Sequence, residues 1–247
     1  MLSRTGRLAA AAGVLVLAAG CAATDGAPEP APTRAPGTTA PTSPASGGEA
    51  ADAGFSVRSR HLSGAEQAAM RGVTWHPGCP VPLRDLRVVR LTYRDFAGRR
   101  RTGRLVVHHD AVAAVGRIFR RLYEIDFPIR RMQPIEAYGG DDYASIEADN
   151  TSAFNCRPKT GSTTTWSQHA YGRAIDLDPL ENPYVYGAGA GRTSHPGSRP
   201  YLDRTRARPG VILDGSPAVA AFEDAGWHWG GRWHGPIDYQ HFSAVQE

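Results

Sequence analysis

After residue 55, hydrophobic and polar positions follow the periods of short strands and helices. Leu86–Tyr93 and Arg104–His109 are rich in β-forming residues and flank a polar turn with Gly98, which predicts a hairpin. Further strands are predicted at Ile129–Tyr138, at Arg173–Leu177 and in two short segments that close the chain. The pattern therefore predicts several short strands and no long run of alternation.

Four helices are predicted from capping residues and from apolar residues at helical spacing. Ser63 and Glu66 form a capping box at the start of a short helix. Asp110 is predicted to cap a second helix, and two more are expected over Asp141–Ala148 and Ala218–Ala225. Because strands and helices do not alternate in a βαβ order, the predicted fold class is α+β. We expect a single small domain with a mainly antiparallel sheet flanked by helices.

The first 20 residues have the pattern of an export signal. Arg4 and Arg7 precede the apolar run Leu8–Ala19, which is too short to span a membrane comfortably. The run leads to Cys21 in a segment that resembles the lipobox of bacterial lipoproteins, where the cysteine is acylated and becomes the mature N-terminus. That pattern prefers leucine three residues before the cysteine, where this chain has Ala18. The alternative is plain secretion, with cleavage at a nearby alanine.

Residues 21–55 are predicted to be a disordered tether. The stretch has no aromatic residue before Phe55 and is dense in Pro, Ala, Thr, Ser and Gly. Such a segment cannot bury enough apolar surface to offset the cost of ordering its backbone. The folded domain is therefore placed at 56–247, with its motif-bearing core at 151–242. Within that domain, the Gly-, Arg- and Pro-rich stretch Tyr186–Pro209 is predicted to be a surface loop.

Composition and charge are ordinary for a globular protein. Of the 247 residues, 41% are hydrophobic and 21% are charged. The formal charge of +4 and the sequence pI of about 9.1 come from scattered arginines, so no nucleic-acid groove is predicted. A basic surface would favour anionic polymers such as cell-wall material or lipid headgroups, and a merely solvated surface is the alternative.

The three cysteines agree with export. If Cys21 carries lipid, Cys79 and Cys156 remain as an even pair in a compartment where disulfides persist. A Cys79–Cys156 bridge is therefore predicted, with two separate buried thiols as the alternative. Neither cysteine has the spacing partner that a zinc knuckle requires.

Two segments, 167–178 and 226–242, hold the residues that could do chemistry. A catalytic zinc site has three protein ligands and an open position for water. His169 and Asp176 can supply two ligands, because Gly172 between them permits a tight turn, and His241 would be the third. Two imidazoles and one carboxylate leave a net positive charge that acidifies water and polarises a carbonyl. Taken alone, the His-x6-Asp pair is weak support.

The order of three motifs resembles the M15 family of zinc peptidases. They are S-x-H-x-x-G-x-A-x-D at 167–176, G-W-x-W-G-G at 226–231 and D-x-x-H-F at 238–242. The similarity is closest to the branch with D-alanyl-D-alanine carboxypeptidases and L-alanyl-D-glutamate endopeptidases, and it covers roughly Thr151 to Phe242. It implies a hedgehog- or DD-peptidase-like domain with a zinc cleft on the sheet and one Zn²⁺ per chain.

The resemblance also assigns roles. It implies zinc ligation by His169, Asp176 and His241, and makes Asp238 the general base, although many relatives have glutamate there. The arginine that contacts the scissile carbonyl in the family corresponds to Arg157. Residues three apart on a strand point to opposite faces, so Asp238 is predicted to lie in the turn that enters the last strand.

Several neighbouring residues are assigned less specific roles. Ser167 is expected to contact substrate or to orient His169 as an outer partner of the metal. Asp178 is interpreted as structural, because relatives more often have asparagine at this position. The aromatic residues interpreted as cleft wall or core are Trp227, Trp229, Trp233, Tyr184 and Tyr186.

The function expected from the resemblance is hydrolysis of peptidoglycan stem peptides by a zinc peptidase, with D-alanyl-D-alanine carboxypeptidase activity favoured. The alternatives are an L-alanyl-D-glutamate-type endopeptidase and a non-catalytic zinc-containing wall-binding module. A binding module would need neither Asp238 nor Arg157. We expect a monomer outside the cytoplasm, lipid-anchored to the outer face of the membrane or secreted, with peptidoglycan peptides and the membrane as its partners.

Overall fold

The computed structural model describes residues 54–187 and 191–246. The predicted export signal at 1–20, Cys21 with its lipid, and the tether as far as residue 53 lie outside the described residues, so they stay predictions. Within the described ranges, no helix combines the length and the apolar character needed to cross a membrane.

Short elements make up the described part of the chain. The strands are β1 (Val57–His61), β2 (Leu86–Arg94), β3 (Arg100–His108), β4 (Arg131–Met132), β5 (Asn150–Thr151), β6 (Ala174–Asp176), β7 (Tyr184–Val185), β8 (His228–Trp229), β9 (Ile237–Asp238) and β10 (His241–Ser243). The α-helices are α1 (Gly64–Met70), α2 (Val112–Glu124), α3 (Asp142–Glu147) and α4 (Pro217–Glu223). Short 3-10 segments lie at Leu83–Asp85, His109–Ala111, Ile135–Tyr138, Gln168–Tyr171, Pro196–Tyr201 and Gly230–Arg232.

The predicted α+β class is confirmed, and most of the strand pairing is antiparallel. One sheet has the order β1-β2-β3, and a second has the order β6-β10-β8. The pair β7-β9 is antiparallel as well, whereas β4 and β5 are parallel. The predicted hairpin is β2-β3, in which Leu86 lies opposite His108 and Arg94 lies opposite Arg100. Its turn is closed by Asp95, whose carboxylate accepts hydrogen bonds from the backbone N–H groups of Ala97 and Arg99.

Helix α2 packs its apolar face against the first sheet. Its buried side chains are Val115, Ile118, Phe119, Leu122 and Tyr123. All of these except Tyr123 join the main hydrophobic core with strand residues such as Leu91 and Leu105 and with Phe222 of α4. Burying side chains of this size stabilises a fold by about 1.5–3 kcal/mol each. This core therefore supplies a rigid support for the smaller second sheet.

The predicted capping role of Asp110 is wrong. Helix α2 begins at Val112, and Asp110 lies within the preceding 3-10 turn. Its carboxylate instead contacts His108 Nδ1 at 2.6 Å and Arg173 Nη2 at 2.5 Å. His108 and Arg173 compete with the helix N-terminus for the same side chain, and the local sequence does not reveal Arg173.

The strand predicted at Ile129–Tyr138 is mostly absent. Only β4 is extended in a ladder, and Ile135–Tyr138 forms a 3-10 turn. Pro134 has no N–H to offer a neighbouring strand. The amide of Asn150 replaces a strand partner, since it accepts from Gln133 N at 2.9 Å and donates to Gln133 O at 3.0 Å.

The predicted surface loop at Tyr186–Pro209 is only partly a loop. It contains the 3-10 turn Pro196–Tyr201, and residues 188–190 lie outside the described part. His195 in this segment is buried, and its Nδ1 lies 2.7 Å from the Glu147 carboxylate of α3. This contact fastens the segment to α3.

The predicted disulfide is confirmed. Cys79 and Cys156 are bonded, with their Cα atoms 6.0 Å apart and a sequence separation of 77. A loop of this length stabilises the folded state by about 4 kcal/mol in the chain-entropy model. Cys156 belongs to a second hydrophobic cluster with residues such as Met70 and Phe154. The bridge therefore ties the segment before the 167–178 motif to the N-terminal part of the domain.

A buried group of carboxylates lies beside the turn that follows β6. Asp178 adopts a left-handed backbone conformation (φ 41°), which asparagine and aspartate tolerate better than most residues, and its Oδ1 accepts from Arg130 N at 2.9 Å. The Arg130 guanidinium contacts Asp149 at 3.2 Å and Glu181 at 3.4 Å. Burial, and then the negative charge of Asp149, raise the pKa of Glu181 to about 8.

This group predicts an unusual pH dependence of stability. The folded state binds the Glu181 proton more tightly than the unfolded state, so stability should fall as the pH rises from 4.5 towards 8. Glu181→Gln should therefore stabilise the protein at pH 8, by on the order of 2 kcal/mol, and should flatten the profile. Urea unfolding at pH 5 and pH 8 measures the effect. The variant leaves unchanged the charged and phenolic groups that contact Glu181 or interact with its charge, which are Asp149, Asp178, Arg130, Tyr201 and Arg204.

The control is Glu223→Gln, which alters an exposed carboxylate paired with Arg232 and should leave the profile unchanged. Parallel profiles for wild type and Glu181→Gln would show that Glu181 is not the titrating group.

Candidate active site

The first metal-binding candidate, His169, is positioned by a single 3-10 turn. Ser167 begins this turn, and its hydroxyl accepts a hydrogen bond from His169 N at 3.3 Å. Gly172 ends the turn with φ 66°, and a Cβ on it would lie 2.6 Å from the backbone nitrogen of His108. Only glycine satisfies both conditions. The turn then leads directly into β6, which ends at Asp176.

The other two candidates face each other across a strand pair. His241 begins β10, which pairs antiparallel with β6 so that His241 lies directly opposite Asp176. Side chains at directly opposed positions share one face of a sheet, with Cβ atoms about 5 Å apart. The next residue, Phe242, points the other way into the core, where it stacks on Phe222 at 3.6 Å. Core packing on one face thus directs His241 to the other.

Three donor atoms meet at this point. His169 Nε2 lies 3.2 Å from Asp176 Oδ1 and 3.2 Å from His241 Nδ1, and His241 Nδ1 lies 3.1 Å from Asp176 Oδ1. All three residues are buried, and together they form a group that could hold a metal ion. Ligands about 2.0 Å from a tetrahedral Zn²⁺ are separated by about 3.3 Å. The triangle therefore fits one zinc ion.

The surroundings of His169 select the nitrogen that faces the triangle. Its Nδ1 lies 2.5 Å from Ala153 O, which accepts hydrogen bonds and donates none. Nδ1 therefore carries the hydrogen, and Nε2 presents a lone pair. Metal-binding histidines commonly have such a carbonyl partner on the other ring nitrogen.

The electrostatics of the site are dominated by Asp176 and Asp238. Burial raises the pKa of Asp176, but His169 and then His241 outweigh burial and hold that pKa well below its usual range. Burial, and then the negative charge of Asp176, raise the pKa of Asp238 to about 7. Asp238 therefore lies within electrostatic reach of the triangle. Its buried Oδ1 has no hydrogen-bond partner among the described residues.

The sequence pattern predicted that Asp238 lies in a turn, and this prediction is wrong. It forms the short strand β9 with Ile237, and Tyr239 and Gln240 separate it from β10. Gly230 permits the close approach of this strand, because a Cβ there would lie 2.7 Å from Asp238 O and 3.3 Å from His241 Cβ. The turn was predicted because residues three apart on one strand point to opposite faces. Since Asp238 and His241 lie on separate strands, that restriction does not apply to them.

Comparison with known families agrees with this geometry. The model of the D-alanyl-D-alanine carboxypeptidase family of M15 peptidases matches residues 160–244. This segment is therefore similar to the M15 peptidases. It contains the three donor residues and Asp238, whereas Arg157 lies just before it. No curated protein and no solved structure matches the chain.

Tyr184 is a residue of the M15 segment that sequence reasoning placed only at a cleft rim. It lies directly opposite Asp238 in the β7-β9 pair, so the two side chains share a face. Burial, and then the charge of Asp238, raise the pKa of its phenol. Only the cross-strand register reveals this neighbour, because 54 positions in the sequence separate the two residues.

Arg157 lies on a segment that runs alongside the start of the M15 motif. Its carbonyl accepts from Ser167 N at 3.1 Å, and its Nε forms an ion pair with Asp142. No sequence motif points to Asp142. The role of Arg157 as a contact to the scissile carbonyl stays a prediction.

The tryptophans divide between the two interpretations. Trp227 and Trp229 belong to the core, and Trp229 Nε1 donates to Tyr239 O at 2.9 Å. Trp233 is partly exposed, and its ring centre lies 5.2 Å from that of His241. Of these three tryptophans, Trp233 is therefore the one that lies beside the donor triangle.

A second group of possible ligands, His76, Cys79 and Cys156, also comes together. Its sulfur atoms are bonded to each other in the disulfide, so they offer no thiolate to a metal. The histidines outside the M15 motifs that are buried, His108 and His195, are each paired with a carboxylate. These pairings account for the burial of both histidines.

Proposed function

We propose that this protein is a zinc-dependent peptidase that hydrolyses peptidoglycan stem peptides, with D-alanyl-D-alanine carboxypeptidase activity favoured. The observation that carries the proposal is the triangle of His169 Nε2, Asp176 Oδ1 and His241 Nδ1, whose edges are 3.1–3.2 Å. The match of residues 160–244 to a carboxypeptidase family of the M15 peptidases supports the same activity.

The three donors of the triangle would hold the metal. When bound there, Zn²⁺ would polarise the carbonyl of the scissile bond and acidify a water molecule. The donor set of two imidazoles and one carboxylate is of the kind that zinc peptidases use, and it is closed on one side by the buried core. Ser167 would act indirectly, since its hydroxyl fixes the turn that presents His169.

Asp238 is proposed as the general base. It would accept a proton from the attacking water and return it to the leaving amine. Without a cation, burial and Asp176 raise its pKa to about 7. A divalent cation at the triangle would favour the ionised form, which is the form that a base requires at neutral pH. Arg157 is proposed to stabilise the negative charge that develops on the carbonyl oxygen.

The N-terminal sequence supports a substrate in the cell wall. A lipid on Cys21 would anchor the chain to the outer face of the membrane, and a flexible tether over 21–55 would let the domain reach nearby wall peptides. A monomer suffices for this proposal, because the ligands and the base all come from one chain.

Digestion of purified muropeptides tests the proposal. The zinc-loaded protein should remove one terminal alanine from pentapeptide stems, and mass spectrometry of the products identifies the bond. Cleavage between L-alanine and D-glutamate would instead assign the endopeptidase activity. Binding of wall peptides without cleavage by the zinc-loaded protein would favour the non-catalytic module. The variant Asp238→Asn, loaded with zinc in the same way, is the matched negative control.

A further inference from the structure

The segment that carries Arg157 is held against the turn of the first metal-binding histidine. Asn155 N donates to His169 O at 3.2 Å, and Ser167 N donates to Arg157 O at 3.1 Å. Cys156, between these two contacts, is tied down by the disulfide. The backbone next to Arg157 is therefore fixed relative to His169, and the orientation of the guanidinium depends on its side-chain contacts.

Asp142 of α3 supplies the main side-chain contacts. Its Oδ2 forms an ion pair with Arg157 Nε, and its Oδ1 accepts from Asn155 Nδ2 at 2.7 Å. Both charged side chains are only about one third exposed (29% and 32%), so solvent screens this pair less than a surface pair. Arg157 Nη1 donates to Pro158 O at 3.2 Å. Neither of these two contacts uses Nη2.

Asp142 is not needed to begin its own helix. The N-cap of α3 is Asp141, whose Oδ1 accepts from Tyr143 N at 2.8 Å and from Ala144 N at 3.3 Å. Asp142 follows the cap, and both of its carboxylate oxygens are directed to side chains outside the helix. Asp141 therefore caps the helix while Asp142 contacts Arg157, so the contact to Arg157 does not depend on the residue that stabilises the start of α3.

We propose that Asp142 is a positioning residue for Arg157. Its carboxylate holds the Nε edge of the guanidinium, so that Nη2 faces the carbonyl oxygen of the scissile bond before substrate binds. Without the ion pair, the Arg157 side chain would lose conformational entropy each time it orders against a substrate. With the ion pair, the side chain is already ordered before substrate binds. The inference rests on the proposed function, and no bond or proton changes place at Asp142.

The test compares variants of the full chain loaded with zinc. Asp142→Asn keeps the oxygen that accepts from Asn155 but removes the charge that holds Arg157. It should lower kcat by about 10- to 100-fold, with little change in KM or in zinc content. Asp142→Glu restores the charge and should recover part of the loss. In an Arg157→Ala background, Asp142→Asn should have no further effect on kcat.

The matched control is Glu147→Gln at the other end of α3. It removes the carboxylate that pairs with His195, so it perturbs the same helix without touching Arg157, and it should keep the kcat of wild type. Wild-type kcat in Asp142→Asn would overturn the inference. So would an equal loss of kcat with and without Arg157, because Asp142 would then act by another route.

A spectroscopic readout separates this inference from the proposed function. The Nε–H resonance of Arg157, assigned by its loss in Arg157→Ala, should shift in Asp142→Asn and exchange faster with solvent. An unchanged resonance would overturn the positioning role whatever the activity. If zinc-loaded wild type cleaves no muropeptide while the resonance shifts, the proposed function fails and the contact between the two residues stands.

Discussion

Replacing His169 by alanine is expected to abolish stoichiometric zinc binding. The substitution removes one of three donors and leaves Asp176 and His241 facing a gap. Loss of an outer partner of a metal ligand already weakens binding by about 10- to 100-fold, so loss of the ligand itself should cost more than about 100-fold. Zinc content after dialysis, measured by elemental mass spectrometry, gives the result directly.

The control for this experiment is His228→Ala. His228 lies on β8 of the same sheet, but it is exposed and outside the triangle. It should keep one zinc per chain. Retention of one zinc per chain by His169→Ala would mean that the metal, if present, is held elsewhere, and the peptidase proposal would lose its main support.

Asp238→Asn is expected to keep zinc and to lose almost all hydrolysis. Asparagine preserves the shape of the side chain but cannot accept a proton from water. General base catalysis contributes about 10²- to 10⁴-fold, and kcat should fall by that factor. The measurement is kcat on the muropeptide that wild type cleaves, together with zinc content of the same preparation.

Asp224→Asn provides a matched control, because Asp224 is an exposed aspartate at the end of α4 and should tolerate the change. A kcat for Asp238→Asn within a few-fold of wild type would remove Asp238 from its role as base. Loss of zinc in Asp238→Asn would instead place its carboxylate among the groups that hold the metal.

The sequence correctly predicted those elements whose stabilising contacts join residues only a few positions apart. The capping box of Ser63 and Glu66 is present at α1, because both of its hydrogen bonds join residues three apart. The β2-β3 hairpin follows from two β-rich runs and a short turn. Helix α3 lies within the predicted helix Asp141–Ala148. In each case the partners are neighbours in the sequence, so composition and spacing are sufficient.

Contacts between distant segments account for what the sequence did not predict. Asn150 bonds the backbone at Gln133 and so replaces a strand partner where a strand was expected. Asp110 is drawn away from its helix by Arg173, which is 63 positions along the chain. The sequence motifs selected the residues of the triangle through their resemblance to a family, not through any local rule. Asp142 and Tyr184 carry no motif, and only the packing of α3 and β7 brings them next to Arg157 and Asp238.

The opposition of His241 and Asp176 has a consequence for folding. Strand β10 has only three residues, and a shift of its pairing by one position would turn His241 into the core and Phe242 towards solvent. Such a slipped state could not complete the donor triangle. A metal ion that binds the triangle would therefore stabilise only those chains whose last strand is paired in the correct register, and it would favour that register in the final step of folding.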